Sequence, residues 1–456
     1  MSTMRPQGMT AFTIVWFGQV ISLMGSAMSG FALTLWAWQT YQSATVMALV
    51  GFFNFAPTIL FSPLAGALVD RWNRKLVMML SDLATGLMSV IIFVLLAFGH
   101  LEIWQLYLTG VIAGSFQAFQ WPAYSASSTL MVPKQQYARA SGMMGLADMG
   151  SGILSPILAA ALIGTIRLQG ILLIDIATFI FAISVLLWIV VPQPKQTSDG
   201  QLAQGSLWKE SLYGFQYIWA RKPLLGLQLV FFGGNFLASV GFTLMAPMLL
   251  ARTLNNAVTL GSVESVGAIG GVLGGLAITA WGGMQHKVHG VLLGWGFSAI
   301  FGLILLGSGS SPLGWAVFLG LGMFFHPIID SSNQAIWQAK VAPDIQGKVF
   351  SVRRLIAQLS VPLSLLMAGP LADQVFEPAL SSQQGSLSGV FSWLVGTGPG
   401  AGMALMLVIA GAFSVLIAAC GYLIPAIRNV ETLLPDHQAE VLTPAEGMLA
   451  AAPVIE

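Results

Sequence analysis

Apolar stretches of roughly twenty residues recur from one end of this chain to the other, with very little charge inside any of them. A helix that crosses the hydrocarbon of a bilayer needs about 20 mostly apolar residues. Twelve stretches qualify. The first six run approximately over 11–39, 46–69, 76–98, 103–131, 140–165 and 170–191. The second six run approximately over 223–249, 260–282, 288–308, 313–338, 352–374 and 399–425. Asp, Glu, Lys and Arg make up 8% of the chain, against roughly 25% in an ordinary soluble domain. Hydrophobic residues reach 56% and mean hydropathy is +0.81. A water-soluble fold of 456 residues needs more charge than this to cover its surface, so lipid is the main solvent. The expected fold is an all-α membrane protein with twelve transmembrane helices in two six-helix pseudo-repeats.

Eighteen basic residues against seventeen acids leave a net charge of +1. That excludes the clustered surplus of Lys and Arg that nucleic acid demands. The single cysteine, Cys420, excludes an internal disulfide and reads as a small apolar packing residue. No His or Cys cluster has metal-ligand spacing, and no cofactor or metal is expected. The first apolar run extends to about residue 40, longer than the core of a cleaved signal peptide, and reads as a retained first span. A polar stretch separates the two sets of spans. The expected division is a bundle over 1–191, a linker over 192–222, a second bundle over 223–425 and a tail over 426–456.

Orientation follows from the loops. With twelve spans, sixteen of the eighteen basic residues fall on one side, and only Arg167 and Arg252 on the other. The positive-inside rule places that basic side, with both termini and the linker, in the cytoplasm. The halves also share a weak repeat. Val132-Pro133-Lys134 follows the fourth span, Ala342-Pro343-Asp344 follows the tenth, and a basic residue, Arg139 or Lys348, comes after each. Parallel six-span halves are a transporter architecture with the substrate site near the midplane between them.

The loop after the second span, Gly66 to Lys75, holds Asp70, Arg71, Arg74 and Lys75 between two apolar spans. Orientation accounts for the bases. Acids contribute little to orientation, so Asp70 needs another reason. The loop resembles the signature of the major facilitator superfamily, roughly Gly-x-x-x-Asp-Arg-x-Gly-Arg-Lys/Arg, matched here at Gly66, Asp70, Arg71, Arg74 and Lys75. Asn73 stands where the family has Gly, and the expectation is that Asn preserves the turn by tolerating left-handed backbone. The resemblance implies that the loop latches one conformation, with Asp70 as its acid and Arg139 as the candidate partner. Trp281 to Lys287, the equivalent region of the second half, has no acid.

Further pieces resemble the drug:proton antiporters of that superfamily, in particular the macrolide-efflux-like branch. They are the Val-Pro turn, Gly347-Lys348-Val349-Phe350, Gly396-Thr397-Gly398-Pro399-Gly400, and the tail Ile427-Arg428-Asn429-Val430-Glu431 with Leu434-Pro435-Asp436. Two features depart from the pattern. The fourth span has no Arg between Leu106 and Ala118, and the fifth-span exporter motif at Gly152 and Pro156 has Ser155 before the proline. The resemblance implies a bacterial inner-membrane exporter of amphipathic small molecules, drug or macrolide-like. It would be a monomer working by alternating access and driven by protons. The alternatives are a dedicated exporter of a siderophore, peptide or other metabolite, a lipid translocator, and more distantly a receptor or scaffold. No enzyme chemistry or nucleotide-binding motif is evident.

Ionisable groups inside a membrane are expensive and are functional candidates by default. Asp148 in the fifth span and Asp330 in the tenth are candidates for coupling. His326 lies one turn from Asp330 on the same face. Asp82, Asp175, Glu264 and Asp373 read as solvated or snorkelling groups near span ends. Gln19, Ser22, Asn54, Gln117, Gln120 and Asn235 form a polar set, with Trp121 and Tyr124 beside two of the amides. Rings supply apolar area and amides orient a ligand; amides also join helices by hydrogen bonds. Gly267, Gly271 and Gly275 read as a packing stripe. Trp16, Trp36 and Trp38 read as a mixture of core and interface-belt aromatics.

Overall fold

The structure, a computed structural model, describes residue 6 and residues 8–133, 136–191, 207–342, 345–380 and 386–436. Side chains at some helical positions, including 66, 70 and 71, lie outside that description. Among the described residues, ten helices have the length and composition of a membrane span. One of these, Gly142–Trp188, covers 47 residues and lies within a longer helix, Tyr137–Trp188, that turns back at Arg167, where φ is 58° and ψ is −176°. Its two arms are the fifth and sixth spans. Ile103–Met131 is the fourth. Twelve crossings result, in two sets of six.

Local chemistry sets the helix ends. Ser43 caps the second span (Ala44–Arg71) by accepting from the Val46 N–H. Asn256 and Ser311 do the same for the eighth span (Ala257–Trp281) and the first arm of the tenth (Pro312–Phe324). Each cap satisfies an N–H that the helix cannot. Asn73 belongs to this group. Its φ is −66°, and its side chain accepts from the Leu76 N–H to start the third span, Arg74–Ala97. The expected left-handed turn is therefore not formed. Asn holds the position as a helix cap.

Glycines set the close approaches in the second half. Gly270 and Gly274 pack against the backbone carbonyls of Gly320 and Phe324 in the tenth span, and Gly267 against Leu319. A Cβ at Gly275 would meet nothing within 4 Å, and one at Gly271 would first meet the Met323 carbonyl at 3.9 Å. The packing face is thus Gly267, Gly270 and Gly274. An i, i+4, i+8 stripe drifts around a helix of 3.6 residues per turn, and the contact follows i, i+3, i+7.

The tail residues are bound. Glu431 accepts from the Lys287 N–H at 3.1 Å and the Val288 N–H at 3.0 Å, capping the ninth span. Lys340 closes the tenth span and is buried. Its ammonium donates to the Leu434 carbonyl at 2.6 Å and the Asp436 carboxylate at 2.7 Å. Between these contacts the tail straps the ninth and tenth spans together. A helix, Leu207–Ala220, precedes the seventh span, Lys222–Arg252, within the stretch read as a linker.

The halves meet through the second and eleventh spans and through the fifth and eighth. Asp373 of the eleventh span accepts from Ser43 Oγ at 2.6 Å, the Ala44 N–H at 3.0 Å and the Thr45 N–H at 2.8 Å. A carboxylate from one half therefore caps a helix of the other. Ser265 donates to the Ile153 carbonyl at 2.7 Å, and Trp38 Nε1 donates to Asn255 Oδ1 at 2.8 Å. All of these contacts lie in the half of the molecule away from the basic loops. The far face is closed.

Candidate functional site

A cavity of about 540 Å³ lies within the first six spans. It is large enough for an organic molecule of drug size. Its wall carries seven of the ten residues read from the sequence as binding or coupling candidates: Gln19, Asn54, Gln117, Gln120, Trp121, Tyr124 and Asp148. The first span brings Gln19, the second Asn54, the fourth the two glutamines with Trp121 and Tyr124, and the fifth Asp148. Trp121 is exposed, and the Tyr124 ring stacks on Phe12 at 6.4 Å with its hydroxyl lacking any partner. Asn54 and Gln117 are exposed in the cavity.

The remaining three candidates lie elsewhere. Asn235 bonds back to the Phe231 carbonyl of its own helix at 3.0 Å. His326 pairs with Ser298 Oγ at 3.2 Å and packs edge-on against Trp295 of the ninth span. Asp330 is exposed, within electrostatic reach of Arg353. Arg353 is held by Gln334 at 2.7 Å and lies over Trp337. The two residues share a helix, His326–Lys340, and face different neighbours.

Two further carboxylates, outside the candidate set, lie in the same wall. Asp82 and Asp175, read as span-end groups, are 3% and 2% exposed and line the cavity. Asp82 accepts from Gln19 Nε2 at 2.9 Å and from Gln120 Nε2. Asp175 accepts from Ser26 Oγ at 2.9 Å and Ser89 Oγ at 2.8 Å. Depth was the available signal. Asp82 lies eight residues past the start of its helix at Arg74, about 12 Å into the membrane at 1.5 Å per residue. Among the described residues lining the cavity, every charged side chain is a carboxylate: Asp82, Asp148 and Asp175.

The signature loop is described in part. Lys75 donates to the carbonyls of Leu187 at 3.2 Å and Ile189 at 2.8 Å, so it caps the end of the sixth span. Arg74 is half-buried and Arg139 is exposed. The side chains of Gly66, Asp70 and Arg71, and with them the Asp70–Arg139 latch, lie outside the described residues. In the exporter motif Gly152 meets nothing within 4 Å, and the Pro156 carbonyl packs against Gly261 of the eighth span. Ser155, the departure from the family pattern, is buried and donates to the Met24 carbonyl at 3.2 Å. It ties the fifth span to the first.

Twelve crossings in two sets, closed on one face around a cavity lined by both polar and apolar groups, are the architecture of a secondary transporter. The sequence model of the Major Facilitator Superfamily matches residues 15–365. This chain belongs to that superfamily, in the branch of the macrolide efflux proteins. Macrolide efflux protein A of Streptococcus pyogenes is 27% identical over 374 residues, 80% of this chain and 90% of that protein. The enterobactin exporter EntS of Escherichia coli O1:K1 is 23% identical over 291 residues, 62% of this chain and 66% of that protein. A bacterial homologue of the human lysosomal transporter Spinster, in an inward-facing and unoccupied conformation, superposes with a TM-score of 0.63 at 17% identity. It covers 90% of this chain and 97% of that one. The protein is a multi-pass membrane transporter and not an enzyme.

Proposed function

We propose that the protein exports amphipathic small molecules of drug or macrolide type by alternating access, in exchange for protons. The observation that carries this is the cavity: rings and amides in one wall, with carboxylates as its only described charges. Carboxylates inside a membrane attract either a proton or a cation. The macrolide and enterobactin exporters among the relatives support the direction. The excess of Lys and Arg on one side supports a cytoplasmic basic face with both termini there, in a bacterial inner membrane. With that orientation the closed far face makes this the inward-facing state. The halves over 1–191 and 223–425 would then rock about the cavity, with the Gly66–Lys75 loop and Arg139 latching the opposite state. The working unit is a monomer.

A dedicated exporter of one siderophore, peptide or other metabolite is the second reading, favoured by the likeness to EntS. Accumulation of amphipathic probes in proteoliposomes tests both readings. Collapsing the proton gradient should abolish uphill transport, and accumulation that survives the collapse defeats the coupling. A panel in which one compound alone is moved replaces the broad reading with the narrow one.

A further inference from the structure

We propose that Asp82 and Asp175 divide the work of exchange: Asp82 is a fixed anion that recognises a cationic group on the substrate, and Asp175 carries the proton. This rests on the proton-coupled exporter reading above. The grounds are the hydrogen-bonding partners of the two groups.

Around Asp82 three contacts close a ring. Gln19 Nε2 donates to Asp82 Oδ2 at 2.9 Å, Gln120 Nε2 donates to Asp82 Oδ1, and Gln120 Nε2 also donates to Gln19 Oε1 at 3.2 Å. An amide offers one donor end and one acceptor end, and an ionised carboxylate only accepts. With Asp82 ionised, every contact pairs a donor with an acceptor. A proton on Oδ2 faces the Gln19 N–H₂. Turning Gln19 around mends that contact and sets its N–H₂ against that of Gln120. Turning both sets Gln120 Oε1 against the bare Oδ1. A proton on Oδ1 fails in the same way. With the acid proton lying in the ring, one contact of the three becomes repulsive whichever oxygen carries it, so the ring favours Asp82 as the anion.

Asp175 is bound only by hydroxyls, Ser26 on one oxygen and Ser89 on the other. A hydroxyl turns freely between donor and acceptor. If Oδ2 takes a proton, Ser89 accepts it and points its own hydrogen at the Thr85 carbonyl, 3.5 Å away. Asp175 therefore keeps its hydrogen bonds in both states. One turn beyond Ser26, Ser29 lines the cavity at 4% exposure, with its hydroxyl close to the same carboxylate.

The two sites are stacked. Gln19 and Ser26 are seven residues apart on the first span, and Asp82 and Ser89 are seven apart on the third. Seven residues are two turns, about 10 Å along the axis. The Asp82 layer lies toward the basic face and the Asp175 layer toward the far face. A substrate entering from the basic side meets the anion first, and the proton site is the nearer to the outside when the far face opens. The other titratable groups in the wall are Asp148 of the fifth span and Tyr124 of the fourth, both on the basic side of Asp175. Asp82 is the third-span charge among the lining residues.

Infrared spectroscopy of the purified protein in lipid reads the division directly through the C=O stretch of a protonated carboxylic acid. A band that titrates with pH is expected in the wild type, absent in Asp175→Asn and retained in Asp82→Asn. Loss of the band in Asp82→Asn and retention in Asp175→Asn overturns the assignment. Gln19→Glu should add a second such band, because it places an acceptor in the ring and lets two carboxylates share a proton; no added band overturns the ring argument. Ethidium, an aromatic cation, should bind at least about tenfold more weakly to Asp82→Asn, a loss of about 1.4 kcal/mol, and nearly unchanged to Asp175→Asn. Wild-type affinity in Asp82→Asn overturns the recognition role. A wild type that fails the gradient test refutes the exporter reading and leaves the spectra to decide the assignment alone.

Discussion

The two halves use their polar groups in opposite ways. In the first half, Gln19, Asn54, Asp82, Gln117, Gln120, Asp148 and Asp175 all face one cavity. In the second half several charged groups hold the half itself together. Glu431 and Lys340 bind the tail, and Arg252 donates to the Gly309 carbonyl at 3.0 Å and the Val395 carbonyl at 2.5 Å. Glu377 accepts from the N–H groups of Gly400 and Met403, which fixes the start of the twelfth span, Ala401–Leu423. Two halves of one ancestral design can thus diverge into a half that offers hydrogen bonds to a ligand and a half that spends them on rigidity. Alternating access needs both, since a site must be presented and a firm body must rock against it.

Breaking a charge in the rigid half should have the largest effect on stability. Lys340→Met removes the donor to the Glu431 and Leu434 carbonyls and to Asp436, whose own side chain is 71% exposed. Losing the charge-assisted hydrogen bonds to those two carbonyls costs about 3 kcal/mol. Thermal unfolding in detergent should show that loss. A change below about 0.5 kcal/mol, the range of a plain surface substitution, would end the view that these charges are structural.

Next comes the contact that joins the halves. Asp373→Ala removes the acceptor for Ser43 and two backbone N–H groups at the head of the second span. Hydrogen bonds to a charged group contribute about 2 kcal/mol here. That is a shift of roughly thirtyfold toward the state with its far face open. Spin labels on Gln42 and Val375, exposed near this contact, should report a longer distance population. An unchanged distance distribution would mean that Asp373 does not help to close the far face.

Length and hydropathy made the spans legible, because a bilayer imposes one element length on every crossing. They also give the depth of each residue along its helix, and Asp82, eight residues past the helix start at Arg74, lies buried and not at the span end. What the pattern cannot carry is the rotation of one helix against another. Gly271 and Gly275 looked equivalent to Gly267, yet the tenth span crosses a face one residue away. His326 and Asp330 share a helical spacing, yet the ninth span takes up the first while the second stays open toward Arg353. Seven of the cavity residues were readable because amides and aromatics in apolar spans are rare enough to mark a wall. The serines that hold Asp175 were not, since a serine in a membrane helix usually bonds its own backbone.

The smallest expected effect on stability is the most direct test of the contrast. Asn54 and Gln117 are exposed in the cavity, and neither side chain makes a hydrogen bond among those described. Their amides are free for a ligand. Asn54→Ala and Gln117→Ala should each leave unfolding within about 0.5 kcal/mol of the wild type, as at any exposed position without a partner. Each should also weaken binding of an amphipathic probe by about fivefold, the share of one neutral hydrogen bond near 1 kcal/mol. An amide that served to join helices would behave the other way, lowering stability and sparing affinity. A loss of stability without a loss of affinity at both positions would return these residues to packing and move the site toward the carboxylate layers at Asp82 and Asp175.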